Sequence, residues 1–308
     1  MINNKVFVVC APDYSENSGG SICVHHLADI LASLGYTTYI APLLTEINIL
    51  SLKKFKSAVM HTFYLHLYKL KKVTSFPANK AKIISVLDAK SLAQKGAIFI
   101  YTDTVLGNPY QAKKIVRWLL HYPMFFHKQV CWSQGEIIIR FNDNIPKQNL
   151  SGIIFLDQLL KIVKYPIDLY LSKISKDRLG SAHLIRKGVG KDFIHPPNSI
   201  CIDGLSHHEI ATILGKVQYF YSYDLYTAYS SLAAISGCVS IVVPDKNVSI
   251  LDWYPSIEDR YGISYGTENI KWAIETQSLV LEKLKKNEET NIDNTKLFIA
   301  SLNNLENF

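Results

Sequence analysis

Residues 219–244, YFYSYDLYTAYSSLAAISGCVSIVVP, constrain the fold more than any other stretch of the chain. An aromatic, strand-forming run over 217–221 meets the turn residues Ser222, Tyr223 and Asp224, and a helix with small residues on one side (Ala228, Ala233, Ala234) follows. Gly237 stops that helix, and 238–243 is an apolar strand closed by Pro244. The polar residues therefore gather where the first strand passes into the helix. A helix start offers unpaired N–H groups and a positive dipole, so this place suits a phosphate or diphosphate. The alternative for Asp224 is a plain helix cap.

The same alternation runs through most of the chain. A strand over 5–11, a polar loop over 13–20, a helix over 21–34 ended by Gly35, and a strand over 36–41 form a βαβ opening, which predicts a parallel sheet covered by helices. Further strands are expected near 57–60, 81–86 and 97–101, with helices near 62–73 and 110–120. The polar, turn-rich FNDNIPKQNLS around 142–151 is the expected boundary, dividing the chain into 1–146 and 147–308. A second α/β series follows through 167–172, 182–185, a helix over 206–214, the 219–244 block and 262–265. Beyond Thr267 the pattern is helical, with ends expected to pack on the body and to reach back toward the first domain. The fold class expected is α/β, with two Rossmann-like domains.

At 308 residues the chain is long enough for two domains, and 48% hydrophobic with 19% charged residues is a globular balance. The apolar run at the start is too short for a signal peptide, and no window holds the roughly 18 apolar residues of a spanning helix, so a cytosolic protein is expected. Five scattered cysteines without C-x-x-C spacing read as reduced structural thiols, and no metal site is expected. Much of the +7 charge lies between Lys53 and Lys82, where lysines surround FYLHLYKL. That stretch can hold an anionic membrane surface peripherally or be an ordinary solvated face; no nucleic-acid module accompanies it.

Several polar positions fall at strand ends, where ligands bind in open α/β sheets. Gly19 and Gly20 in NSGG permit close approach at a helix start but lack the dinucleotide spacing G-x-G-x-x-G. Asp103, after the 97–101 strand, can act as a general base, hold a sugar hydroxyl or cap its loop. His61 ends another expected strand and is a candidate catalytic or acceptor-side residue. Arg186 and Lys187, with Lys191 close by in a glycine-containing loop, can neutralise a diphosphate. Ser206 and Glu209 form a capping box, so Glu209 is structural.

With those residues in view the chain resembles the GT-B glycosyltransferases, closest to the group-1, family 4-like branch of bacterial surface-polysaccharide assembly. NSGG, the RKG element and SYDLYTAYSSLAAISGCVSIVVP carry the resemblance, with IYTDTVLGNPYQAKKIVRWLL and DRYGISYG in support. It implies two Rossmann-like domains facing a cleft, an acceptor-side first domain and a second domain that binds a nucleotide-sugar donor. By that analogy Arg186 and Lys187 hold the donor diphosphate, assisted by amides near Tyr226 and Thr227, with Tyr223 and Asp224 lining the donor site. Gly19 and Gly20 would approach from the opposite domain. One departure stands: the family's paired glutamates are represented by Asp224 and Leu232.

The expected activity is hexosyl transfer from a nucleotide sugar to a glycan or lipid-linked acceptor, without metal or cofactor, at the inner face of the membrane. The stereochemistry is open; an inverting enzyme would look to Asp103 as base. Two rivals remain, a sugar-nucleotide epimerase or phosphorylase on the same scaffold, and a non-catalytic partner that keeps the fold to bind glycan.

Overall fold

The structure, a computed structural model, describes residues 5–44, 69–124, 130–147 and 150–305. The chain divides into two compact units, one of Met1–Lys164 with Thr290–Phe308 and the other of Tyr165–Glu289.

In the first unit seven strands pair in parallel: β1 (Val6–Ala11), β2 (Thr37–Pro42), β3 (Lys82–Ile83), β4 (Ile98–Thr102), β5 (Lys114–Leu119), β6 (Ile137–Arg140) and β7 (Ile154–Leu159). Their order is β3-β2-β1-β4-β5-β6-β7. Successive residues of a strand point to opposite faces, and the sequence supplies apolar side chains for both. Phe7, Val9 and Ala11 pack with Ile100, Val116 and Trp118 under helix α1 (Gly19–Ser33). Val8 and Cys10 turn the other way, with Phe99 and Tyr101, toward helix α2 (Val86–Gln94). The long helix α8 (Val280–Asn303) contributes Phe298, Ile299 and Leu302 to the α1 face. Asn291 fixes it by a two-way amide link to Val163, accepting from its N–H at 3.0 Å and donating to its carbonyl at 2.7 Å.

The second unit is a five-stranded parallel sheet of β8 (Ser181–Leu184), β9 (Ile200–Cys201), β10 (Tyr219–Ser222), β11 (Val239–Val242) and β12 (Ile263–Tyr265). Their order is β12-β11-β10-β8-β9. Helices α3 (Ile167–Leu171), α4 (His207–Leu214) and α5 (Ala228–Ile235) cover one face through Tyr170, Leu214 and Ala233. On the other, Trp253 of α6 (Ile250–Trp253) packs with Leu225, Val242 and Tyr265. A last helix, α7 (Ile270–Thr276), follows β12. Arg178 gathers the carbonyl ends of two helices: its guanidinium donates to Leu214 O and Val217 O beside α4, at 2.9 and 2.6 Å, and to Ser236 O at the end of α5. The Leu214 and Ser236 carbonyls are among those that a helix end leaves without partners of its own.

The structure corrects the sequence reading in several places. Within the stretch 110–120, expected as a helix, Lys114–Leu119 forms β5, with Ile115 on the α2 side of the sheet and Val116 and Trp118 on the α1 side in a pattern of period two. Its one buried charge, Arg117, is neutralised by Glu136. The expected strand over 81–86 shrinks to Lys82–Ile83, since Ser85 takes an extended backbone and caps α2 in a capping box with Asp88. The segment at 167–172 is helical, and α1 begins at Gly19 rather than Ser21. The unit boundary lies after Lys164, past the polar 142–151 stretch, because β7 still pairs with β6. The strand expected at 57–60 and most of the helix expected at 62–73 lie outside the described residues, as does His61.

Candidate functional site

In the second unit the polar residues singled out in the sequence converge at the carboxyl ends of β8 and β10. Where β10 ends, the Ser222 hydroxyl donates to the Asp224 carbonyl at 2.7 Å, and the Asp224 carboxylate accepts from Tyr226 N–H at 3.2 Å. These bonds close a tight turn ahead of α5. The helix is capped by Thr227, whose hydroxyl accepts from Tyr229 N–H at 3.3 Å, so Asp224 is not the cap. Asp224 is instead a buried carboxylate, 4% exposed, one turn upstream of the helix start.

Where β8 ends, Arg186–Gly188 forms a single 3-10 turn. Its geometry is set by Asp203, whose carboxylate accepts from Ile185 N–H at 2.8 Å and Arg186 N–H at 3.0 Å. Arg186 sits at φ 40°, a left-handed conformation that costs a non-glycine residue energy and persists where its surroundings hold it. Gly188 is required by contact: a Cβ there would lie 2.2 Å from the Tyr223 carbonyl oxygen. The turn is thus seated directly on the backbone that leads into α5. The Arg186 guanidinium lies over the Tyr229 ring, 5.9 Å from its centre, at the first turn of α5. Arg186 and Lys187 are both exposed. The third cation of the loop, Lys191, is committed elsewhere, donating to the Val243 carbonyl at 2.7 Å and pairing with Asp245 at 2.8 Å.

Tyr223 and Tyr226 play different parts. The Tyr223 ring is fully buried, and its hydroxyl accepts from Ile194 N–H at 2.8 Å and meets His195 Nδ1 at 2.8 Å, so its side chain braces the loop before β9. Tyr226 is on the rim, edge-on to Tyr254 at 5.7 Å. His195 stacks flat on His183 at 3.8 Å, and His183 Nδ1 meets the Ser199 hydroxyl at 3.0 Å. Burial pushes both imidazoles below the usual histidine range, His183 further by the facing His195 and partly offset by Asp203. The pair is stable as neutral rings. The Asp203 grip and the histidine stack were missed in the sequence; neither has a local spacing signal.

The first unit holds the other candidates, at its own strand ends. Gly19 and Gly20 occupy the first turn of α1, behind the Ser18 cap. Neither has a positive φ, and a Cβ would meet nothing within 4 Å at Gly19 and only Leu120 Cδ1 at 3.6 Å at Gly20, so the backbone here does not itself demand glycine. Asp103 follows β4 and accepts from Leu120 N–H at 3.0 Å, bridging the ends of β4 and β5. Its loop is held from beneath by Arg117, which donates to Val105 O at 2.6 Å and Gly107 O at 2.9 Å while pairing with Glu136 at 2.7 Å.

Fold and site together define a two-unit α/β protein with parallel sheets and, in the second unit, a cationic turn seated at a helix start. No protein-family model matches the chain, and no curated protein does. Among solved structures it is similar to the spinosyn forosaminyltransferase SpnP, at a TM-score of 0.40 and 10% identity over 95% of this chain and 98% of that one. A likeness at this level bears on neither the site nor the activity.

Proposed function

We propose that the protein is a GT-B glycosyltransferase that moves a sugar from a nucleotide donor to a glycan or lipid-linked acceptor, in the assembly of surface polysaccharide. The supporting observation is the seating of the RKG turn on the Tyr223 backbone ahead of α5, with Arg186 over Tyr229 at the helix start. A diphosphate at that place meets the exposed Arg186 and Lys187 together with the N–H groups and positive dipole of the helix. As the bond between sugar and diphosphate breaks, negative charge grows on the leaving group, and fixed donors aimed at that charge lower the barrier. On this reading no metal is called on. Asp224, held by the Tyr226 amide, is the carboxylate assigned to the donor sugar, and Asp103 and the Gly19–Gly20 turn are assigned to the first domain's share of catalysis and donor approach. Leu232, 1% exposed in the core under α5, takes no part, so the nucleoside is held by other groups.

The test is calorimetric binding of UDP, GDP, dTDP and CMP to the wild type and to Arg186→Ala, with sugar-nucleotide turnover measured alongside. Loss of one charged hydrogen-bonding partner should weaken binding by roughly 10- to 100-fold. If none of the nucleotides binds, the proposal is abandoned. Binding without turnover of any donor would favour the non-catalytic reading, to which the core position of Leu232 lends its one observation.

A further inference from the structure

Between Glu46 and Asp88 the sequence carries eight lysines and no acidic residue. The described part of that stretch lies along one edge of the first unit. β3 is the outermost described strand, pairing with β2 through Tyr39↔Lys82 and Ile40↔Ile83, and both Lys82 and Ile83 are exposed. Residues 71 and 72 come alongside the start of α2, where Val86 N–H donates to the Lys71 carbonyl at 3.2 Å. Lys90 is exposed one turn into the same helix. Asp88 is the acid nearest this group in the sequence, and it is engaged by the hydroxyl and amide of Ser85 in the capping box. Lys72 favours the ionised Asp88 carboxylate, but lysines crowding a helix start otherwise oppose its dipole.

Exposed aliphatic side chains lie among them: Leu70 at 51%, Ile83 at 37% and Leu87 at 52%. A soluble polyanion would reward the lysines alone. A bilayer rewards both sets, cations at the headgroups and aliphatic side chains at the boundary with the acyl chains. From this juxtaposition of Lys71, Lys72 and Lys82 with Leu70, Ile83 and Leu87, we propose that the β3–α2 edge docks on an anionic lipid bilayer. The proposal stands whether or not the protein transfers sugar.

The experiment is flotation of the full chain with phosphatidylcholine vesicles and with the same vesicles doped with phosphatidylglycerol. Binding should require phosphatidylglycerol and fall as salt rises above about 0.15 M. Each lysine at the surface is worth about fivefold, so Lys71→Gln/Lys72→Gln should bind roughly 25-fold more weakly. Lys285→Gln/Lys286→Gln, an equal loss of charge on exposed residues of α8, should bind as wild type. Leu70→Ser/Leu87→Ser should weaken vesicle binding and leave retention on dextran sulfate unchanged. Equal binding to both vesicle types, or no effect of the Lys71 and Lys72 changes, overturns the proposal. So does vesicle binding indifferent to the leucine changes, which would make the edge a site for soluble polyanions.

Discussion

Two loops at strand ends, one in each unit, are braced by charge in opposite senses. After β4 the brace is a cation: Arg117 points inward, fully buried, and grips the carbonyls of Val105 and Gly107 while Glu136 neutralises it. After β8 the brace is an anion: Asp203 grips the amides of Ile185 and Arg186, and Arg186 and Lys187 stay at the surface. The first arrangement uses its guanidinium for architecture. The second uses a carboxylate for architecture and so presents Arg186 and Lys187 outward, where an anion can meet them. An arginine near a strand end therefore means little until the group holding its loop is known.

The sharpest way to break the comparison is Arg117→Ala. It leaves Glu136 buried with its charge uncompensated and should cost about 3–5 kcal/mol in denaturant unfolding, whereas Arg117→Met/Glu136→Leu should cost far less. Arg186→Ala, by contrast, should move stability by at most about 1 kcal/mol while weakening nucleotide binding. Equal destabilisation by Arg117→Ala and Arg186→Ala would erase the distinction. Next comes Gly188→Ala, whose Cβ meets backbone atoms of Tyr223 rather than a side chain that can swing away. About 1–3 kcal/mol of overpacking is expected, with loss of nucleotide affinity as the turn lifts from Tyr223. Unchanged affinity would mean that the seating is incidental.

A pH titration separates the units. In the second, burial lowers the His195 and His183 pKa values. In the first, burial lowers that of His25, partly offset by the Pro12 carbonyl and Asp13. Each is favoured neutral in the folded protein, while the unfolded chain takes up protons near the ordinary value of about 6.5. Stability is therefore full above about pH 6.5 and declines as pH falls through that value toward the lower folded ones. His195→Gln should flatten the decline in the second unit and His25→Gln in the first, read from urea midpoints between about pH 7 and 5 with a tryptophan or NMR probe in each unit; a decline unaltered by both would refute the assignment. A small effect is expected for Thr227→Ala, about 1 kcal/mol for a lost helix cap, with Asp224→Ala leaving the cap intact. If Asp224→Ala fully disorders α5 and Thr227→Ala does not, the capping assignment is reversed.

Legibility followed the range of the interactions involved. The βαβ opening and the strand, turn and helix of 217–243 are written in local periodicity and stop residues, and so is the Ser206–Glu209 capping box. β5 was not legible, because Lys114 and Arg117 at a spacing of three imitate one face of a helix. What makes 114–119 a strand is pairing with β4 and β6, and what permits a charge inside it is Glu136, nineteen positions on. The boundary was misplaced for a related reason: the polar 142–151 stretch is a connection within the first sheet, between β6 and β7. In the site, Arg186, Lys187 and Gly188 stood out by composition. Their support did not, since Asp203 is seventeen residues beyond Arg186 and reaches it only through the fold.

The placement of α8 carries one more consequence. Phe298, Ile299 and Leu302 complete the face of the first sheet that holds Val9 and Ile100, yet they are translated after every residue of the second unit. During synthesis, where domains commonly fold in order of emergence, that apolar face stays open to water until residues 298–302 arrive. Of the two units, the one that begins to emerge first is completed second, and any helper that shields nascent chains has the longer task there.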